Sequence, residues 1–110
     1  MSDVLLVRCT FPDSGQARQI GTALVERQLA ACVNILPPVT SIYRWEGETQ
    51  QATEWLLFIK TSSPQFENLK LELARIHPYE VPELIAVPIL DGAAPYLAWM
   101  EESLDKGDGA

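Results

Sequence analysis

Histidine occurs once in this chain, at position 77, and cysteine only twice, at Cys9 and Cys32. Two cysteines are too few for a disulfide scaffold, so a cytoplasmic protein with reduced thiols is the expectation. No Cys-x-x-Cys or His-x-x-His spacing is present, and a closed zinc site wants four such donors. Basic residues are scarce too: eight Lys and Arg against fifteen Asp and Glu give a net charge of −7. A phosphate-binding surface needs clustered cations, whereas these eight are scattered from Arg8 to Lys106, which argues against a nucleic-acid partner. No apolar run approaches the about 18 residues of a membrane span. The start lacks the basic region, long apolar core and small-residue cleavage site of a signal peptide. Gly15 and Gly21 are isolated, so there is no glycine-rich phosphate cradle.

What is present is an ordinary globular profile, with 47% apolar and 21% charged residues, sized for one domain over 1–110. An ordered core over 3–104 and a frayed tail over 105–110 are expected. Val4 to Thr10 reads as a buried strand. Asp13 and Gln16 resemble a capping box, ahead of a helical face at Ala17, Ile20 and Leu24 that runs to about Leu29. Val33–Ile35 and Ser41–Trp45 read as one strand interrupted by Pro37-Pro38, which belongs on a sheet edge or at a bulge. Glu46-Gly47-Glu48 turns the chain into a strand over Glu54–Lys60. Ser63 is a cap with Pro64 at the first helical position, and Phe66, Leu69, Leu73 and Ile76 give the clearest helical spacing. His77-Pro78 stops that helix, because proline restricts the residue before it and lacks an N–H. Leu84–Leu90 is a further strand, with Pro88 suggesting an edge or a bulge, and Pro95 opens a last helix striped by Leu97, Met100 and Leu104.

The order β-α-β-β-α-β with a terminal helix predicts an α+β, ferredoxin-like antiparallel sheet with helices on one face. The strand Trp55–Ile59 is nevertheless apolar on both faces, where a half-solvated strand should alternate. The terminal helix is one candidate cover for the second face, and other copies of this chain are the better one. An obligate homo-oligomer with the Ser41–Lys60 hairpin at its interface is therefore expected.

The stretch His77-Pro78-Tyr79-Glu80-Val81-Pro82-Glu83 holds the lone histidine and two carboxylates on a stiff, non-helical segment, where sites tend to sit. It also reads simply as a helix stop. Cys9 and His77 are soft and borderline ligand types suited to copper or zinc, and a site shared between subunits would ease the shortage of donors. The same pair is a nucleophile and base in type, but no nucleophile elbow or oxyanion-hole motif accompanies it, and no enzymatic activity is expected. Trp45, Trp55 and Trp99 read as packing more than as stacking platforms. Lys60, at a strand end, suits either an anion or water. Tyr43, Trp45, Lys60, Tyr79 and Glu80 are the candidates for lining a ligand cleft between subunits.

Several segments together resemble the CutA family of divalent-cation tolerance proteins, over roughly Val4 to Leu104. They are Cys9-Thr10 with Pro12-Asp13, Leu29-Ala30-Ala31-Cys32-Val33-Asn34-Ile35, and Ser41-Ile42-Tyr43-Arg44-Trp45-Glu46-Gly47. Ile59-Lys60-Thr61, the His77–Glu83 stretch and Tyr96-Leu97-Ala98-Trp99 complete the series. The resemblance implies a tight homotrimer of ferredoxin-like subunits, similar to the nitrogen-regulatory signalling trimers, with a role in tolerance of copper and other divalent metals. It implies Cys9 and His77 as the metal ligands and no established enzymatic activity. Some members carry a second histidine before the His-Pro pair; Ile76 stands there in this chain, one ligand fewer.

Overall fold

The computed structural model describes residues 3–104; the tail expected over 105–110 lies outside the described residues. The elements run β1 (Val4–Phe11), α1 (Ser14–Glu26), β2 (Cys32–Ile35), β3 (Val39–Trp45) and β4 (Glu48–Ser62), then α2 (Ser63–Ile76), β5 (Leu84–Pro88) and α3 (Ala94–Glu102). The α+β, ferredoxin-like architecture is as expected: an antiparallel sheet ordered β2-β4-β1-β5, with helices packed on it.

Two departures from the sequence reading shape the site. The interrupted strand is two strands: β2 pairs with Leu57–Lys60 of β4, while β3 pairs with Glu48–Glu54. β4 is accordingly fifteen residues long rather than the seven of Glu54–Lys60. Its first half, Glu48-Thr49-Gln50-Gln51, carries no apolar signal; it is held extended by its ladder to β3. The reversal between them rests on Glu46 (φ 52) and Gly47 (φ 82). Two successive positive φ values match the right-handed twist of a tight hairpin, and glycine adopts one without steric cost.

Local signals set the helix ends. Asp13 caps α1 by accepting from Gly15 N–H at 2.7 Å; no reciprocal bond from Gln16 forms, and its buried Oε1 lacks a partner. The helix stops at Glu26, short of Leu29, because Gln28 turns left-handed (φ 61) and Leu29 and Ala30 both donate to Leu24 O. The cap of α2 is Ser62 rather than Ser63, with proline in the first turn. His77 closes that helix in an extended conformation, its N–H bonded to Leu73 O.

The core lies between the sheet and helices α1 and α2. Val7, Cys9 and Phe11 stand opposite Ile59, Leu57 and Trp55 in register, under Ala17, Ile20 and Leu24 of α1 and Leu69 and Leu73 of α2. The second face is closed at one end, where Met100 and Leu104 pack with Val4 and Ala31, and Thr10, Leu56 and Glu54 are buried at the other. Farther along it Phe58 is half-buried, and Ile85 and Val87 are 49% and 45% exposed.

Candidate functional site

Both ring nitrogens of His77 are engaged. Nδ1 accepts from Tyr79 N–H at 3.0 Å, and Nε2 lies 2.8 Å from the carbonyl oxygen of Thr10. An N–H can only donate and a carbonyl can only accept, so the partners assign the neutral tautomer with its proton on Nε2. The ring stacks on Phe11, with centroids 4.3 Å apart. Burial pushes its pKa down, against the opposing pull of the Thr10 carbonyl and the Glu54 charge. Pro78 and the short ring-to-backbone bond thus hold the segment after α2 against β1.

Tyr79, two residues on, donates from Oη to Glu54 Oε2 at 2.7 Å. Glu54 sits on β4 and is only 7% exposed. Burial, and next the bond to that carboxylate, raise the phenol's pKa. The two side chains join the loop to the root of the hairpin. Between them opens a cleft of about 640 Å³. Tyr43 and Trp45 of β3 line it, together with Glu80 and Glu83 from the loop and Thr10 from β1. Tyr43 and Trp45 are two apart and so share one face of the strand.

Four of the five residues expected in a ligand cleft, Tyr43, Trp45, Tyr79 and Glu80, therefore meet here. Lys60 does not line it: its Nζ donates to Tyr96 Oη at 3.0 Å, on α3. Glu83 joins from the stretch the sequence marks as a site, whereas the sequence does not single out Glu54. Glu54 heads an apolar strand, which was its one visible signal; only the β3–β4 register places it at the cleft.

Cys9 is fully buried on the core face, between Val7 and Phe11 and opposite Leu57. Its thiol pKa is pushed up to about 12, first by burial and then by the Glu83 charge. Metal binding and nucleophilic attack both need the thiolate. A metal ion at this pair would have to take the proton of that buried thiol and displace a partner of His77. Among the described residues no group of three or more His, Cys, Asp or Glu side chains is placed to hold one. Of the tryptophans, Trp55 packs against the core, while Trp45 and Trp99 are 45% and 42% exposed.

The sequence model of the CutA1 divalent ion tolerance protein family matches residues 5–103. This chain belongs to that family. It is 48% identical over 103 residues to the divalent-cation tolerance protein CutA of Thermus thermophilus, covering 94% of this chain and 98% of that one. A solved structure of the Thermus thermophilus divalent cation tolerance protein superposes with a TM-score of 0.91 at 47% identity, over 93% of this chain and 99% of its own. The periplasmic divalent cation tolerance protein CutA of Archaeoglobus fulgidus gives 0.89 at 35% identity, over 93% and 99%. The CutA homologue of Danio rerio is 44% identical over 101 residues; the match covers 92% of this chain but 66% of that longer protein. The CutA resemblance read from the motifs thus holds along nearly the whole chain, and the Thermus thermophilus and Archaeoglobus fulgidus relatives carry the name of divalent-cation tolerance proteins.

Proposed function

We propose that the chain acts as a non-enzymatic homotrimer in the response to divalent cations, holding copper or another such ion only weakly. One observation carries the assembly: the second sheet face leaves Phe58 half-buried and Ile85 and Val87 largely exposed, and Tyr96 and Trp99 of α3 are exposed as well. Exposed apolar side chains on one sheet face are what a partner covers, and the family resemblance makes the partners two further copies. Sedimentation at micromolar protomer should find a trimer; a monomer would sink this part of the reading.

The weak metal contact follows from the state of Cys9 and His77. A copper ion at these residues displaces a hydrogen bond of His77 and draws a proton from a buried thiol, and both costs subtract from affinity. Titration calorimetry with Cu(II) and Zn(II) should show weak binding that falls further in Cys9→Ser and His77→Ala. Binding unchanged in both variants would remove these residues from the proposal. The two cysteines are free thiols, which suits the cytoplasm, and among the described residues no helix is long and apolar enough to cross a membrane.

The cleft favours a second reading, a small-molecule-sensing trimer without metal. Its support is the meeting of Tyr43, Trp45, Tyr79 and Glu80 around one opening. Native mass spectrometry should then find a retained metabolite and no metal, and a trimer that stays empty across a metabolite screen would count against it.

A further inference from the structure

We propose that the cleft between the β3–β4 hairpin and the loop after α2 binds an alkylammonium ion, a small organic cation with an apolar chain. This deepens the reading of the cleft as a ligand site and does not rest on copper; one wall of the cleft is the hairpin expected at the subunit interface.

The lining has a distinctive charge. It holds three carboxylates, Glu54, Glu80 and Glu83, and no Lys or Arg. Arg8, from outside the lining, approaches Glu83 at 3.8 Å. Glu54 and Glu80 take part in no ion pair among the described residues. Glu54 is also the most buried of the three acids, and Tyr79 Oη fixes one of its oxygens at 2.7 Å. A buried carboxylate with one neutral donor has electrostatic reason to accept a cation. Anions are repelled by the same set.

The second feature is apolar. Tyr43 and Trp45 present rings that are 44% and 45% exposed, and Val81 and Pro82 line the loop side. Aromatic faces attract cations through the ring quadrupole, most strongly for tryptophan. A bare divalent ion makes no use of such walls, and among the described residues no three donors converge to hold one. A volume of about 640 Å³ suits a polyatomic ligand. A neutral apolar ligand would fill the walls yet leave the carboxylates without a countercharge. An ammonium group with an alkyl chain satisfies both features: its head meets Glu54 and Glu80, and its chain lies along Tyr43 and Trp45.

The test is a titration of the full-length, nitrogen-15-labelled protein with n-butylammonium, with n-butanol as the uncharged counterpart. The indole N–H of Trp45, assigned through Trp45→Phe, should shift saturably with butylammonium, and butanol should bind at least about tenfold more weakly. Glu54→Gln keeps an acceptor for Tyr79 and should weaken butylammonium binding about tenfold. Glu80→Gln, on an exposed residue that carries no packing, should weaken it about two- to fivefold. Equal binding of butanol, unchanged affinity in both variants, a response at Trp99 instead of Trp45, or no saturable shift would each overturn the proposal. So would an indole shift that follows protein concentration and ignores butylammonium, because a neighbouring copy would then fill the cleft. A monomer that still binds butylammonium loses the assembly reading and keeps this one; a trimer with an unresponsive Trp45 does the reverse.

Discussion

Substituting Cys9 separates a core residue from a chemical one. The side chain is fully buried among Val7, Phe11 and Leu57. Cys9→Ala removes one sulfur from that contact set and leaves a small void, which costs about 1 kcal/mol. Cys9→Ser is nearly isosteric but buries a hydroxyl in apolar surroundings, and such a group left without a partner costs about 1–3 kcal/mol. The expected order of stability is wild type, then Cys9→Ala, then Cys9→Ser, read from denaturant midpoints at one fixed protomer concentration, since the proposed trimer would make stability concentration-dependent. Reactivity gives a second reading of the same geometry. A thiol pKa raised from 9.0 to about 12 leaves roughly a thousandfold less thiolate at neutral pH. Iodoacetamide should therefore label the half-buried Cys32 in native protein and reach Cys9 only on unfolding. Cys9→Ser as stable as wild type, or native labelling of Cys9 as fast as that of Cys32, would refute the reasoning.

Three further predictions follow from named contacts. The pKa of His77 is lower in the folded state than in the unfolded chain, so the unfolded state binds more protons between the two values and stability rises with pH across that window. Thermal scans with chelator present should show this contribution intact above about pH 6.5 and lost as pH falls through the lower folded value. A His77→Gln variant should lack it, and an equal slope in both proteins would reject the assignment. Glu72 joins the helices by pairing with Arg27 at the end of α1 and with Arg75 of α2, so Glu72→Gln should lose a small stability increment that high salt also removes from the wild type; a salt-independent loss would point to packing instead. Ile85→Asp places a charge on the uncovered sheet face, where it should dissociate the assembly in sedimentation while leaving the chain's circular dichroism intact, and a trimer unaffected by it would move the interface elsewhere.

Much of the fold was legible because its signals are local. Val4–Thr10 and the helix through Leu69 and Leu73 announce themselves by apolar spacing, and Pro78 marks a stop that any backbone must obey. Glu48–Thr53 was not legible, because a polar strand is made only by its partner and β3 lies on the far side of the turn. The candidate residues divided in the same way. Tyr43, Trp45, Tyr79 and Glu80 met in one cleft, whereas Lys60 turned to Tyr96, and Glu54 joined the cleft unannounced.

Motifs, apolar periods and prolines carry the family, the run of helices and strands apart from the split between β2 and β3, and the helix stop at His77-Pro78, since these act through covalent geometry and near neighbours. What the segment from His77 to Glu83 does with its groups came from the packed fold. The bond of His77 to Thr10 spans 67 positions and that of Tyr79 to Glu54 spans 25. Such contacts are set by strand register across the sheet, which no local pattern specifies. That register turned the lone histidine from an open ligand into a brace, and turned a buried glutamate and two exposed rings into a cleft.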